Sequence, residues 1–371
     1  MEASVDGNTD GYDTEILTFL SMNCRLPIKT IAKELKLSEA EVSARIARLE
    51  KKYGIKYTLS IDISTLGYTE YIALGKFSNK MPTERDIEEV KEKLESDPHV
   101  QIAMHTSGAY DIITYYIAER DEWKGNAWSV EKSLAKFWEY MPEGNRIDWS
   151  ISWIDVDYYG KVMLRKKFIN ELGEDQIAID EESHRAERRK HMEVMKELLE
   201  NSRIGFNSID KKLHFNQNSS YNIAKKLFNE KLINWYTMTM ENPPAKSLYA
   251  IYMRIVNEGK FLKKREKLME DIIERTDSPI DKYAFIADAN APRGILFFAP
   301  VSGDDGLDKL KKELESIDGT ELDFMKVDKI LFGGFFIRKF DNAYSGPQSV
   351  LVEQYWKTHQ KVERRKYYKE I

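Results

Sequence analysis

Arg45 and Arg48 stand three residues apart on a stretch, Ser38 to Tyr53, whose apolar residues Val42, Ile46 and Leu49 recur at i, i+4 and i+7. That spacing predicts a helix with one buried face. Glu39, Ala40, Ser43, Ala44, Ala47 and Arg48 lie off the buried face, and Arg45 borders it. An outward guanidinium can grip a phosphate or a guanine edge, and a serine can add a short hydrogen bond. A second stretch, Asn216 to Lys226, is richer in amides, which can read adenine edges. Its candidate contacts are Asn218, Tyr221, Asn222 and Lys225. A third group, Ser107-Gly108-Ala109-Tyr110-Asp111, combines a glycine that permits close backbone approach with a carboxylate that could accept from an ammonium. The same residues would also make a plain hairpin turn. Catalytic patterns are wanting: there is no H-E-x-x-H and no Walker-type phosphate loop, and Cys24 stands alone. Of six histidines only His105, beside Ser107, has a suggestive neighbourhood. No catalytic residue, metal ligand or cofactor is therefore expected.

Three consecutive helices must position the first group. Ile16, Leu17 and Leu20 mark one, and Ile28, Ile31, Ala32 and Leu35 mark the next, after Pro27. Ser38 with Glu41 three residues on is a capping-box signal for the third, which stops near Gly54. The short L-K-L-S link has helix-turn-helix spacing, in which the helix after the turn enters the major groove. A bundle without nucleic acid would show the same apolar spacing.

Charge is unevenly placed. The 371-residue chain is net acidic at −5, which argues against blanket nucleic-acid affinity. Residues 13–57 nevertheless carry nine Lys/Arg against six Asp/Glu, and residues 185–236 carry eleven against six. Residues 60–160 hold ten against nineteen. Cations thus gather in the two segments with helix-turn-helix character, as phosphate contact requires. No apolar run is long enough to span a membrane, and the single cysteine and the acidic start suit a cytoplasmic protein.

The two segments are related. Shifted by 178 residues without a gap, residues 16–58 fall on Val194 to Tyr236 with eight of 43 positions identical, among them Asn23/Asn201 and Arg25/Arg203. The second copy has Ser220 and Ala224 where the first has Val42 and Ile46, so its seam is thinner. Strands at Tyr71–Phe77, Val100–Thr106, Tyr110–Ala118 and Arg146–Val156, with helices at Glu84–Ser96 and around Val130–Tyr140, follow the first motif in βαββαβ order. Strands at Leu248–Val256, Lys282–Ala287, Gly294–Pro300 and Leu322–Ile330, the last open to continuation as Phe332–Phe340, repeat that order after the second. Helices Phe261–Arg275 and Gly306–Ser316 go with them, and the second hairpin loop reads as Asp288–Gly294.

The expected fold is therefore α+β: a winged or helix-turn-helix domain plus a ferredoxin-like βαββαβ domain, repeated twice. The divisions are a tail at 1–10, domains at 11–58 and 59–160, a linker at 161–190, domains at 191–240 and 245–342, and a helical tail at 343–371.

The runs I-A-K-E-L-K-L-S-E-A-E-V-S-A-R-I-A-R-L-E-K-K-Y-G-I, I-D-I-S-T-L-G-Y and His105 to Asp111 resemble the Lrp/AsnC transcription regulators across residues 13–160. The resemblance implies sequence-specific binding of double-stranded DNA, with Ser38, Ser43, Arg45 and Arg48 on the DNA side. It also implies a possible amino-acid effector at Ser107, Gly108, Tyr110 and Asp111. Family members pair through their effector-domain sheets, so two copies in one chain are expected to form an intrachain pseudo-dimer, with further homo-oligomerisation. Siroheme decarboxylases resemble the same architecture, which keeps an enzyme as an alternative. A scaffold with both motifs silent is the other.

Overall fold

The computed structural model describes residues 11–336 apart from 62, 120–134, 160, 163, 173–184, 231, 241–246, 258, 261–284, 291–292 and 302–303. The tail at 1–10, the first part (130–134) of the helix expected around 130–140, the helix expected at 261–275 and the C-terminal helix lie outside the described residues; the rest of the 130–140 stretch holds a short 3-10 turn, Lys136–Trp138.

The first motif folds from α1 (Gly11–Met22), α2 (Ile28–Leu35) and α3 (Glu39–Tyr53). Lys36 takes a left-handed conformation (φ 56°) and its N–H returns to Ala32 and Lys33, which ends α2 within one residue. Ser38 then caps α3 by accepting from the Glu41 N–H at 3.1 Å. The Glu41 carboxylate accepts from Arg45 at 3.3 Å. The reciprocal capping box occurs instead at α4 (Glu84–Ser96), between Thr83 and Asp86. Ile16, Leu20, Ile31, Val42, Ile46 and Leu49 close the apolar centre of the three helices.

The second motif follows short β6 (Lys161–Val162) and α5 (Lys166–Glu171). It consists of α6 (Arg185–Glu200), α7 (Phe206–Lys212) and α8 (Ser219–Asn229). Among its described residues the expected linker at 161–190 therefore contains β6, one helix and the start of another.

Two strands were not anticipated: β1 (Ile55–Ile61) and β7 (Ile233–Met240). They pair antiparallel with each other, Thr58 opposite Thr237, and join the two motifs in a two-stranded ribbon. The alternation Ile55-Tyr57-Leu59-Ile61 was the available signal.

The remaining main strands are β2 (Tyr68–Phe77), β3 (Val100–Gly108), β4 (Ile112–Glu119), β5 (Ile147–Tyr159), β8 (Ser247–Ile255), β9 (Phe285–Asn290), β10 (Arg293–Val301) and β11 (Thr320–Phe332). They close a barrel in the order β10-β8-β11-β3-β4-β2-β5-β9. Within each group of four, the second, third, first and fourth strands are neighbours in that order. The seams between groups are β3 against β11, with Gly108 opposite Met325, and β5 against β9, with Val156 opposite Asp288. β12 (Phe335–Phe336) pairs with β6. The long second loop expected at Asp288–Gly294 is shorter, because Asn290 and Arg293 already face each other in the hairpin.

The barrel explains why its strands are apolar on both faces. Ile72, Leu74, Ile102, Met104, Ile113 and Tyr115 pack inward with Tyr252, Leu296, Phe298 and Met325. The alternate residues lie outward under helices: Tyr71, Ala73 and Ala103 with Val90 and Leu94 of α4, and Ile251, Met253 and Ile295 with Leu310 and Leu314 of α9 (Asp304–Glu315). An eight-stranded barrel is just wide enough for side chains to fill it.

Candidate nucleic-acid interface

Ser38, Ser43 and Arg48 are exposed along α3, and Arg45 is half-buried. The two arginines share a partner that sequence reasoning missed. Asp13, in the first turn of α1 and only 2% exposed, accepts from Arg45 Nη1 at 2.9 Å and from Arg48 Nη2 at 2.5 Å. Burial of that carboxylate requires a cation beside it, and the helix start adds favourable potential. Arg45, at 16% exposure, also lies 5.4 Å over the ring of Tyr12. Arg48 is 57% exposed and keeps its outer side toward solvent. Arg45 is thus chiefly a strut between α1 and α3, while Arg48 and Ser43 form the open face. Ser38 is committed to capping. Nothing in the types or spacing of α1 marked Asp13.

The second motif presents Asn218, Asn222 and Lys225 at the surface, with Tyr221 half-buried against Phe206 at 5.7 Å between ring centroids. Asn218 is left-handed (φ 67°), a conformation asparagine tolerates. Where the first motif has Ala32 and Val42 in its apolar centre, this one has Asp210 and Ser220. The Ser220 hydroxyl donates to Asp210 Oδ1 at 2.6 Å and its N–H donates at 2.8 Å. The thinner apolar seam is replaced by a buried polar link.

Between the motifs, hydrogen bonds come in matched pairs. The Cys24 N–H donates to the Tyr236 carbonyl at 3.3 Å and the Ser202 N–H to the Tyr57 carbonyl at 3.2 Å. Thr58 Oγ1 donates to Leu199 O at 2.8 Å, and Thr237 Oγ1 donates to Ser21 O at 2.7 Å. Cys24 Sγ meets Ser202 Oγ at 2.9 Å. Burial pushes the Cys24 thiol up to about 11, so it is a packed hydrogen-bonding group and no nucleophile. Helix partners in these pairs are 178 residues apart and strand partners 179, so the ungapped match slips by one residue at β7.

The hairpin Ser107 to Asp111 sits on a barrel seam. Asp111 accepts from Lys76 Nζ at 3.0 Å and from the Phe77 N–H at 2.9 Å. Gly108 has φ 133°, and a Cβ there would lie 2.3 Å from the Phe324 carbonyl oxygen of β11. Ser107 Oγ reaches Asp328 at 3.3 Å. Tyr110 is half-buried, and burial raises its phenol above the ordinary value. His105 is half-buried on β3 opposite Lys329. No helix among the described residues is long and apolar enough to cross a membrane.

This geometry defines a protein with a helix-turn-helix at α1–α3 and a second three-helix motif of different surface at α6–α8. Residues 10–50 match the AsnC-type helix-turn-helix domain. The HTH-type transcriptional regulator LysM of Saccharolobus solfataricus is 34% identical over 113 residues, which are 29% of this chain and 72% of that protein. The regulatory protein AsnC of Haemophilus influenzae is 32% identical over 117 residues, 30% of this chain and 76% of its own length. The chain belongs to the Lrp/AsnC family of helix-turn-helix transcription regulators. Its fold over nearly the full length resembles the siroheme decarboxylase NirDL, with a TM-score of 0.52 at 10% identity, covering 94% of this chain and 99% of that one.

Proposed function

We propose that the chain is a tandem duplication of an Lrp/AsnC-type unit, helix-turn-helix plus ferredoxin-like effector domain, whose copies pair within one polypeptide and read an asymmetric DNA site in the cytoplasm. The observation that carries the reading is the matched set of inter-motif bonds, with the same neighbour order in both four-strand groups. In the DNA arm, Ser43 and Arg48 serve one half-site and Asn218, Tyr221, Asn222 and Lys225 the other, while Ser38 and Arg45 hold α3 in place. An arginine face and an amide face favour different bases. Selection of bound sites from random DNA by the intact chain tests this. The expected product is two unlike half-sites about one helical turn apart. A perfect palindrome, or no preference, would overturn it.

Effector recognition belongs to Ser107, Gly108, Tyr110 and Asp111 in this reading. The Lys76 ammonium occupies the place an amino acid's ammonium would take on Asp111. Lys76→Met should therefore increase the rise in melting temperature that an amino acid produces. No rise in either protein would reduce the hairpin to a structural turn. The full-length likeness to NirDL supports a second reading, tetrapyrrole chemistry on the same scaffold. Unchanged visible absorbance of added siroheme in the presence of the protein would remove it.

A further inference from the structure

Arg25 and Arg203 hold the same place in the two motifs, and each reaches into the other one. Arg25 leaves the α1–α2 link, and its Nη1 donates to the carbonyl oxygens of Ser202 and, at 3.0 Å, Ile204 on the α6–α7 link. Its guanidinium lies 4.3 Å from the ring centroid of Phe206 on α7 and 5.2 Å from that of Tyr236 on β7. Arg203 lies 4.8 Å over the Tyr57 ring of β1 and donates to Tyr57 Oη at 3.1 Å. It also stands 3.7 Å from Glu50 of α3. These contacts all cross from one motif to the other.

The ribbon of β1 and β7 fixes which residues face each other, but two-stranded ribbons twist more freely than wider sheets. A planar guanidinium that bonds two carbonyls and stacks on aromatic rings restrains orientation as well as distance. Arg25 grips the link that leads into α7 and α8. Arg203 grips the strand that leaves α3 and the last turns of α3 itself.

We propose that Arg25 and Arg203 are crossed positioning residues, Arg25 seating the reading helix α8 and Arg203 seating α3, so that the spacing and angle of the two heads are set before DNA arrives. The consequence for DNA rests on the two-headed reading above; the restraint itself does not.

The test attaches spin labels to Ser43→Cys and Asn222→Cys, exposed positions on the two reading helices, with Cys24→Ser removing the native thiol. In the free full-length protein the inter-label distance should be narrowly distributed. Arg25→Met and Arg203→Met should each broaden it, and Arg25→Lys, which keeps the charge, should broaden it less. If Arg25→Met does not fold, Arg25→Lys and Arg203→Met carry the measurement. Unchanged widths in the variants overturn the proposal. On the selected site, inserting five base pairs turns one half-site to the opposite face of the duplex, so the parent should lose at least about tenfold in affinity. Arg25→Met should lose less. A parent that binds no DNA would overturn the two-headed reading and leave the distance distributions to judge the arginines.

Discussion

Asp13 decides how much of α3 is available to a phosphate. Its buried carboxylate uses Arg45 as a strut and Arg48 as a second, outer partner. Arg45→Met should therefore cost about 2 kcal/mol of stability, the scale of a lost hydrogen bond to a charged group, read as a lower urea midpoint. Arg48→Met should cost less than about 1 kcal/mol, because Arg48 itself is largely solvated and Arg45 stays on the buried Asp13. It should make the salt slope of DNA binding shallower by about 1. An Arg45 variant of unchanged stability would contradict this division of roles. His191 is the other residue with a legible consequence. It is 2% exposed on α6 with no hydrogen-bond partner for Nδ1 among the described residues, and burial first, then the nearby Lys226, hold its pKa below the ordinary 6.5. Folding thus favours the neutral imidazole, whereas the unfolded chain protonates it near pH 6.5. Its stabilising share is present above that pH and is lost as pH falls through the lower folded value. His191→Phe should weaken the loss of stability between about pH 7 and 5.5, checked by denaturation at each pH. An unaltered pH profile would count against the assignment.

At the scale of elements, the two motifs solve the same packing problem differently. In the first, Ala32 and Val42 lie in the apolar centre shared by α2 and α3; in the second, Asp210 and Ser220 join α7 and α8 by hydrogen bonds in a buried place. The two are coupled, since removing the Ser220 hydroxyl leaves the buried Asp210 carboxylate held by the Ser220 N–H without its stronger partner. Ser220→Val should destabilise the chain by about 2 kcal/mol, and Asp210→Ala with Ser220→Val together should recover most of that loss. A double-mutant cycle with no coupling would show that the pair is incidental. Both strands of the ribbon belong to this scale too. Thr58 and Thr237 face each other and each bonds to the far motif's first helix, which ties the ribbon to the heads it carries.

Across the whole molecule, the two groups of four strands and the two helical motifs pair within one chain. The two seams of the barrel and the ribbon all join residues before 160 to residues after 230. Intrachain contacts act at high effective concentration, so the two-headed unit should persist at dilution. One chain should saturate one asymmetric site, with a Hill coefficient near 1 across nanomolar concentrations. A binding curve that steepens with chain concentration would mean that the heads on one chain do not act together.

The local chemistry was legible in residue order alone. The α3 stripe, the Ser38 cap, α4 with its first residue at Glu84 and the strand alternation are local periodicities that survive folding unchanged. So was the match of Asn23 and Arg25 with Asn201 and Arg203 at a fixed offset, since such matches are a property of the string. What tertiary structure decided is who meets whom. Asp13 lies thirty-two residues before Arg45, and only the packing of α1 against α3 brings them to 2.9 Å. Asp111 reads equally as a ligand's acceptor or a turn's, and the approach of β2 supplies Lys76 and the Phe77 N–H. The strands β1 and β7 are stabilised by each other across some 180 residues, a pairing that no local propensity encodes. The crossed arginines were visible as a repeat, but their function depends on two distant segments being placed face to face.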